Sequence, residues 1–294
     1  MHNFPIITPI IMAGGDSQRM GIDKATLIWR KLPLICHMIN IGRSFSDVVH
    51  IVTDKANSYQ ELLAQFDYDC TNHDWQSYHQ NHSPRHTSVV NLSLNSSVES
   101  IKETEKPMIN LHWIDDLQKA GPLVGFYIGL VAMQTARSYS QLSQDPQEFF
   151  IGDINIYPDS APTPPSSQLS MTQTKPQGAH WFLLLSCDLP LLEASTLLRW
   201  KQTLAALPMD TIAYLPPVTS DVATKSSMQP LWHSLCGFYR SQCLLSLSRA
   251  VRAGERSFQR WLKGQVVAAI PNVEPIHLIN SNTPEQWQWL LSQE

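Results

Sequence analysis

The chain has 294 residues, 21 basic against 25 acidic side chains, a net charge of -4 and a 43% hydrophobic content. That balance excludes the basic field a nucleic-acid partner calls for and the acidic excess of a disordered chain, and no window reaches the roughly 18 uninterrupted apolar residues of a membrane span. Five cysteines include no CxxC pair, which argues against thiolate-bound zinc and suits reduced thiols in a cytoplasm.

In chain order, MHNFPIITPIIM is apolar but lacks a basic leader and a small-residue cleavage site, and Pro5 and Pro9 interrupt it, so it is expected to form a leading strand of a soluble protein. Further strands are predicted at DVVHIVTD, MINLHWID, WFLLLSCD and TIAYLPP. Helical spacing of Ile35, Met38, Ile39 and Gly42 follows Pro33, read as a first-turn proline, and Leu123, Phe126, Tyr127 and Leu130 repeat the pattern after Pro122. Near the end, Thr283 is an expected N-cap, with Pro284 in the first helical position and Gln286 completing a capping box. This alternation predicts an α/β fold with parallel strands and crossover helices. Two polar stretches interrupt it, near 70–106 and 138–178, and are read as insertions in a single domain spanning 1–294.

The first strand runs into MAGGDSQRMGIDKATL. A glycine turn at the carboxyl end of a strand lets backbone N–H groups approach a phosphate, because no Cβ intervenes. Gly14 and Gly15 suit that role, and Arg19 and Lys24 add cationic donors for phosphate oxygens. The pattern is neither a Walker loop nor GxGxxG. In LLLSCDLPLL, Asp188 follows a run of apolar residues at the sheet edge where open α/β folds bind ligands. It is suited to Mg²⁺, or alternatively to capping the next helix, while Cys187 reads as strand-end packing. The residues Cys70, His73, His79, His82 and His86 raise a metal site as an alternative to a solvated loop. Trp75 reads as a packing anchor, and Arg252 and Arg256 as solvated helix residues or contacts for an acidic substrate.

Taken together, these motifs resemble the molybdenum cofactor guanylyltransferases, MobA-like nucleotidyltransferases whose signature loop is written LAGGxSxRMGxDKxLL. GPLVGFYIGL, LLLSCDLPLL and INSNTPEQW resemble three further family segments in the same order, and QPLWHSLCGFYR and RAGERSFQRWL resemble its late strand and helix. The resemblance implies a Rossmann-like, GT-A-type fold, a mostly parallel sheet flanked by helices. It implies transfer of GMP from GTP to molybdopterin, with pyrophosphate released and Mg²⁺ as cofactor. By the same resemblance, Met12, Ala13, Gly14 and Gly15 would pass under the nucleotide, Arg19 and Lys24 would hold its phosphates, Asp188 would bind Mg²⁺ and GTP, and Asp115 or Asp116 would contact the nucleotide. Proteins of molybdenum insertion and molybdoenzyme maturation are the implied partners. The alternatives within reach of the motifs are a cytidylyltransferase or another sugar or cofactor nucleotidyltransferase, and a nucleotide-binding scaffold without catalysis. The family's GKPL turn stands here as Arg30, Lys31, Leu32, Pro33 and Leu34 without its glycine, and a family asparagine near the end of the second strand has no clear match, the nearest polar residues being Thr53 and Asp54.

Overall fold

A computed structural model describes residues 5–14, 21–66, 68–71, 87–94, 109–116, 120–142, 179–218 and 230–292. The leading apolar run is strand β1 (Ile6–Met12), followed by a hairpin of β2 (Ile28–Trp29) and β3 (Leu32–Pro33). Helix α1 (Leu34–Arg43), β4 (Val48–Thr53), α2 (Ala56–Gln65), β5 (Tyr68–Thr71), β6 (Thr87–Leu94) and β7 (Ile109–Asp115) come next. The chain continues through α3 (Pro122–Leu142), β8 (His180–Ser186), α4 (Ala194–Lys201), β9 (Ala213–Leu215), β10 (Cys236–Arg240), α5 (Cys243–Arg252), α6 (Phe258–Leu262), β11 (Val267–Ala269) and α7 (Pro284–Leu291).

One nine-stranded sheet has the order β11-β9-β10-β8-β1-β4-β7-β6-β5. Its centre, β8-β1-β4-β7, is parallel throughout. Strand β10 is antiparallel to β8 and β9, and β6 to β7 and β5, while β11 is parallel to β9. Only β6 and β10 therefore run against the common direction, and the expected mostly parallel α/β sheet is borne out.

Alternating side chains send each central strand into two cores. Ile7, Ile11, Val49, Ile51, Leu183 and Leu185 pack with α1, α2 and α4 on one face. Ile10, Met12, Val52, Phe182 and Leu184 pack with α3, α5 and α6 on the other. Burial on both faces explains why β8 reads as a continuous apolar run instead of an alternating one. On the α3 side the approach is close. A Cβ at Gly125 would lie 2.7 Å from Met12 Cε and 3.1 Å from Asp116 Oδ2, so glycine is what lets the helix settle over the end of β1.

Several boundaries differ from expectation. Pro33 closes β3 and occupies the N-cap of α1, one position before the first helical turn. The Thr283 hydroxyl accepts from Gln286 N as expected, with Pro284 opening α7, but the Gln286 side chain takes the backbone N–H of Asn282, not that of Thr283. The stretch read as an insertion from 70 to 106 contains part of β5 and all of β6, which extend the sheet beyond β7 with β5 at its edge; the polar alternation of TSVVNLSL is that of antiparallel strands. Likewise the stretch from 138 begins inside α3. The histidines 73, 79, 82 and 86 and Trp75 lie outside the described residues. No helix among the described residues is long and apolar enough to cross a membrane.

Candidate functional site

The parallel strands end together along one edge, where Met12 pairs with Ser186 on one side and Val52 on the other, and Thr53 pairs with Asp115. Chain order reverses between β8 and β1, which makes their carboxyl ends the switch point of the sheet, where ligands of open α/β folds bind. Both motif loops leave from this place.

The first loop begins with Ala13, whose N–H bonds Val52 O and extends the β1–β4 ladder by one residue. Gly14 follows and is exposed. A Cβ there would meet Asp116 Oδ2 at 3.8 Å and Thr53 Cα at 4.0 Å, ordinary contact distances, so the protein itself leaves room for a side chain at 14. What glycine adds is backbone accessible from the open side, the property a phosphate or ribose requires. Gly15 and Arg19 lie outside the described residues.

The loop returns through Asp23, which caps a short 3-10 turn (Lys24–Thr26) by accepting Ala25 N–H at 3.1 Å. Ala25 is buried in the core, and Lys24 beside it projects to the sheet edge. There its ammonium donates to Asn282 Oδ1 and stands 3.6 Å from Asp188 Oδ2. Asp188 comes from the loop after β8; its other carboxylate oxygen accepts the Ser186 hydroxyl at 2.5 Å, and its carbonyl accepts Ser281 N–H. Lys24, Asp188 and the tail residues Ser281 and Asn282 thus converge from three distant parts of the chain. A cavity of about 190 Å³ opens beside Asp188, lined by Ser186, Trp232, His233, Ser234 and Asn280. Burial lowers the His233 pKa, so its imidazole is neutral near pH 7.

The helix-capping alternative for Asp188 does not hold. Helix α4 begins at Ala194 with Glu193 as its N-cap, and the Asp188 carboxylate is turned to Lys24 and Ser186 instead. Cys187 is packed in the core, where burial pushes its thiol well above the ordinary range, consistent with a packing residue. Of the two candidate acids on β7, Asp116 is buried with Oδ2 toward Gly14 and Gly125, while Asp115 is the last residue of the strand, opposite Thr53. Asp116 is therefore the acid next to the glycine turn. Strands β8 and β7 are three spacings apart, roughly 14 Å, so Asp188 and Asp116 stand on opposite sides of that turn. Thr53 is occupied: its hydroxyl donates to Ala13 O and accepts from Lys55 N. Arg256 donates to Val251 O and Glu255 O at the end of α5, and Arg252 is exposed on its last turn.

Among the described residues no three His, Cys, Asp or Glu side chains converge as a metal cage. A lone carboxylate at a strand end nevertheless fits Mg²⁺, which keeps most of its waters and takes phosphate oxygens from substrate. Sequence reasoning had no role for Asp23, Lys55, Tyr59, Ser186 or Asn282. Asp23, Ser186 and Asn282 lie inside MAGGDSQRMGIDKATL, LLLSCDLPLL and INSNTPEQW, and the i,i+4 spacing of Lys55 and Tyr59 after a strand was the remaining signal.

The chain resembles known proteins in sequence and in fold. Residues 9–84 match the family model described as the MobA-like NTP transferase domain. A probable molybdenum cofactor guanylyltransferase of Nostoc sp. is 26% identical over 279 residues, covering 95% of this chain and 87% of the relative. One from Synechococcus elongatus is 25% identical over 281 residues, 96% of each chain. Among solved structures, the molybdopterin-guanine dinucleotide biosynthesis protein A of Archaeoglobus fulgidus superposes with a TM-score of 0.52 at 15% identity, over 98% of this chain and 100% of that one. The last likeness shows a shared fold, and the family resemblance read from the motifs is borne out.

Proposed function

We propose that this MobA-like nucleotidyltransferase transfers GMP from GTP to the terminal phosphate of molybdopterin, forming the guanine dinucleotide and releasing pyrophosphate. The names of the relatives over nearly the whole chain support the substrate pair. The observation that carries the reading is the meeting of Lys24 and Asp188, 3.6 Å apart at the switch point of the sheet, beside an exposed Gly14.

In this reading Met12, Ala13, Gly14 and Gly15 run beneath the nucleotide, Lys24 and Arg19 hold its phosphates, and Asp116 faces it from the floor of the turn. Asp188 would hold Mg²⁺. The ion, when bound, neutralises charge on the phosphates and the departing pyrophosphate. The acceptor is a phosphate monoester whose second pKa, about 6, leaves it ionised near neutral pH. No protein base is needed to activate it, and no perturbed histidine or carboxylate at Lys24 and Asp188 is called for. What remains is to align two anions and screen their repulsion, the work of fixed cations in a preorganised site. The cavity beside Asp188 offers room for the acceptor.

Incubation of the protein with molybdopterin, Mg²⁺ and each nucleoside triphosphate in turn tests this. GTP is expected to release pyrophosphate far faster than CTP, ATP or UTP, and only with molybdopterin present. Equal use of CTP contradicts guanylyl transfer, and binding without release identifies a scaffold.

A further inference from the structure

The side chains around Asp23 form a network that the proposed chemistry does not use. Lys55 and Tyr59 lie one helical turn apart at the start of α2, so both face the same side. The Lys55 ammonium lies 2.9 Å from Asp23 Oδ2, and the Tyr59 hydroxyl lies 2.8 Å from the same oxygen. The hydroxyl is also 3.0 Å from Ala13 O. Its single proton is thus shared between acceptors at either end of the glycine-rich stretch, the last residue before Gly14 and the residue before Lys24.

Asp23 is held from both sides. Oδ1 takes Ala25 N–H inside the 3-10 turn, and Oδ2 takes the two donors from α2. The same turn is tied again by Thr26, whose N–H and hydroxyl both reach Asp23 O. The Tyr59 ring is 1% exposed and packs near Trp113, so its hydroxyl has little freedom to move. Burial, and next the Asp23 charge, raise the phenol pKa far above its ordinary range, keeping the proton on oxygen as a donor.

We infer that Tyr59 and Lys55 are positioning residues that act through Asp23 to fix the 3-10 turn and thereby aim Lys24 at the triphosphate, an inference that rests on the nucleotide reading above. Buried Ala25 seats one side of the turn in the core, and the ties of Asp23 to α2 hold the turn at its start, beside Lys24. Tied to α2 and, through the same hydroxyl, to the end of β1, it has one orientation, and Lys24 shares it.

The test is a double-mutant cycle read by equilibrium binding of each triphosphate and by kcat and KM, with thermal unfolding as a control. Wild type, Tyr59→Phe, Lys24→Ala and the double variant are compared. Loss of a hydrogen bond to a charged group corresponds to a change on the order of tenfold, so Tyr59→Phe is expected to weaken triphosphate binding about tenfold and to lower kcat. In the Lys24→Ala background the same change is expected to cost less than about twofold, because the group it positions is gone. Lys55→Met should follow Tyr59→Phe, and Lys55→Arg should restore binding. Losses that multiply fully in the double variant, or an undiminished affinity in both Tyr59→Phe and Lys55→Met, overturn the positioning role while leaving the proposed function standing. Tighter binding of another triphosphate corrects the base assignment, and the cycle run with that nucleotide still decides the role. A wild type that binds no triphosphate overturns both.

Discussion

Lys24 and Asp188 stand 3.6 Å apart, yet their substitution is expected to fail differently. Asp188→Asn preserves size and the oxygen that accepts from Ser186, but removes the charge that fits Mg²⁺. A loss on the order of 10² or more in kcat is expected, the scale of a deleted electrostatic stabiliser, with thermal unfolding little changed. In the proposed reading the Lys24 charge acts on the nucleotide before and during transfer, so Lys24→Ala should raise KM for GTP and lower kcat together. Raising Mg²⁺ should not rescue it. Steady-state kinetics of both variants across a Mg²⁺ titration separate the two outcomes; near-normal turnover by Asp188→Asn at ordinary Mg²⁺ would remove Asp188 from the chemistry. At this scale the sequence was informative where a loop motif restricts residue type: Gly14, Lys24 and Asp188 were singled out from their loops, and the fold brings all three to the carboxyl edge of the sheet. Tyr59 and Lys55 were not, because a tyrosine and a lysine on an amphipathic helix are ordinary until the tertiary fold brings Asp23 within hydrogen-bond reach.

Elements carry their own local strain and their own pH dependence. The hairpin joining β2 and β3 turns through Arg30 and Lys31, with φ of 46° and 67°. Positive φ at both central positions is the geometry that Asn-Gly pairs favour, and it costs other residues about 1 kcal/mol or more each. Arg30 recovers part of this by lying over the Trp29 ring, 5.5 Å from its centroid. Lys31→Gly is therefore expected to stabilise the protein by about 0.5–1 kcal/mol, measured as a higher urea midpoint at unchanged slope; a lower midpoint would contradict the strain. The lack of a glycine in RKLPL was visible in the sequence, but the two-residue turn through Arg30 and Lys31 was not, because neither residue signals positive φ.

Between α5 and α6, the Glu255 carboxylate accepts the backbone N–H groups of Arg256 and Ser257 and the Arg260 guanidinium. Foremost through the Arg260 bond, these hold its pKa down to about 2. A carboxyl lowered on folding stabilises fully above its unfolded value, about 4.3, and loses that contribution as pH falls toward 2. Acid unfolding of the wild type should thus carry a stability loss between about pH 4.3 and 2 that Glu255→Gln lacks; identical pH profiles would contradict the bond set.

The sheet sets what the whole molecule tolerates. Its parallel centre was legible because apolar runs separated by helical patterns have few other solutions, and the switch point followed once β8 was seen to return beside β1. Its far side was not, because β6, which lies between β7 and the edge strand β5, reads as TSVVNLSL, a polar alternation that fits a loop as well as an antiparallel strand. Replacing residues 143–176 by a short Gly/Ser linker is expected to leave cooperative unfolding intact, since loop length enters closure entropy only logarithmically. Replacing 75–103 removes β6 and opens β7 to solvent, so association of the product is expected. Light scattering with urea unfolding distinguishes the two deletions, and equal behaviour would contradict the edge assignment.

The central claim is that a phosphate on the acceptor attacks the α-phosphorus of GTP at the Lys24–Asp188 site. It is tested most directly by following label from α-labelled and γ-labelled GTP in parallel, with molybdopterin and Mg²⁺, for wild type and Asp188→Asn. The account predicts that the α label moves into the dinucleotide while the γ label leaves as pyrophosphate, and that both transfers fall together in the variant. Retention of the α label in free GDP, GMP or GTP, or transfer of the γ label to the acceptor, would contradict it.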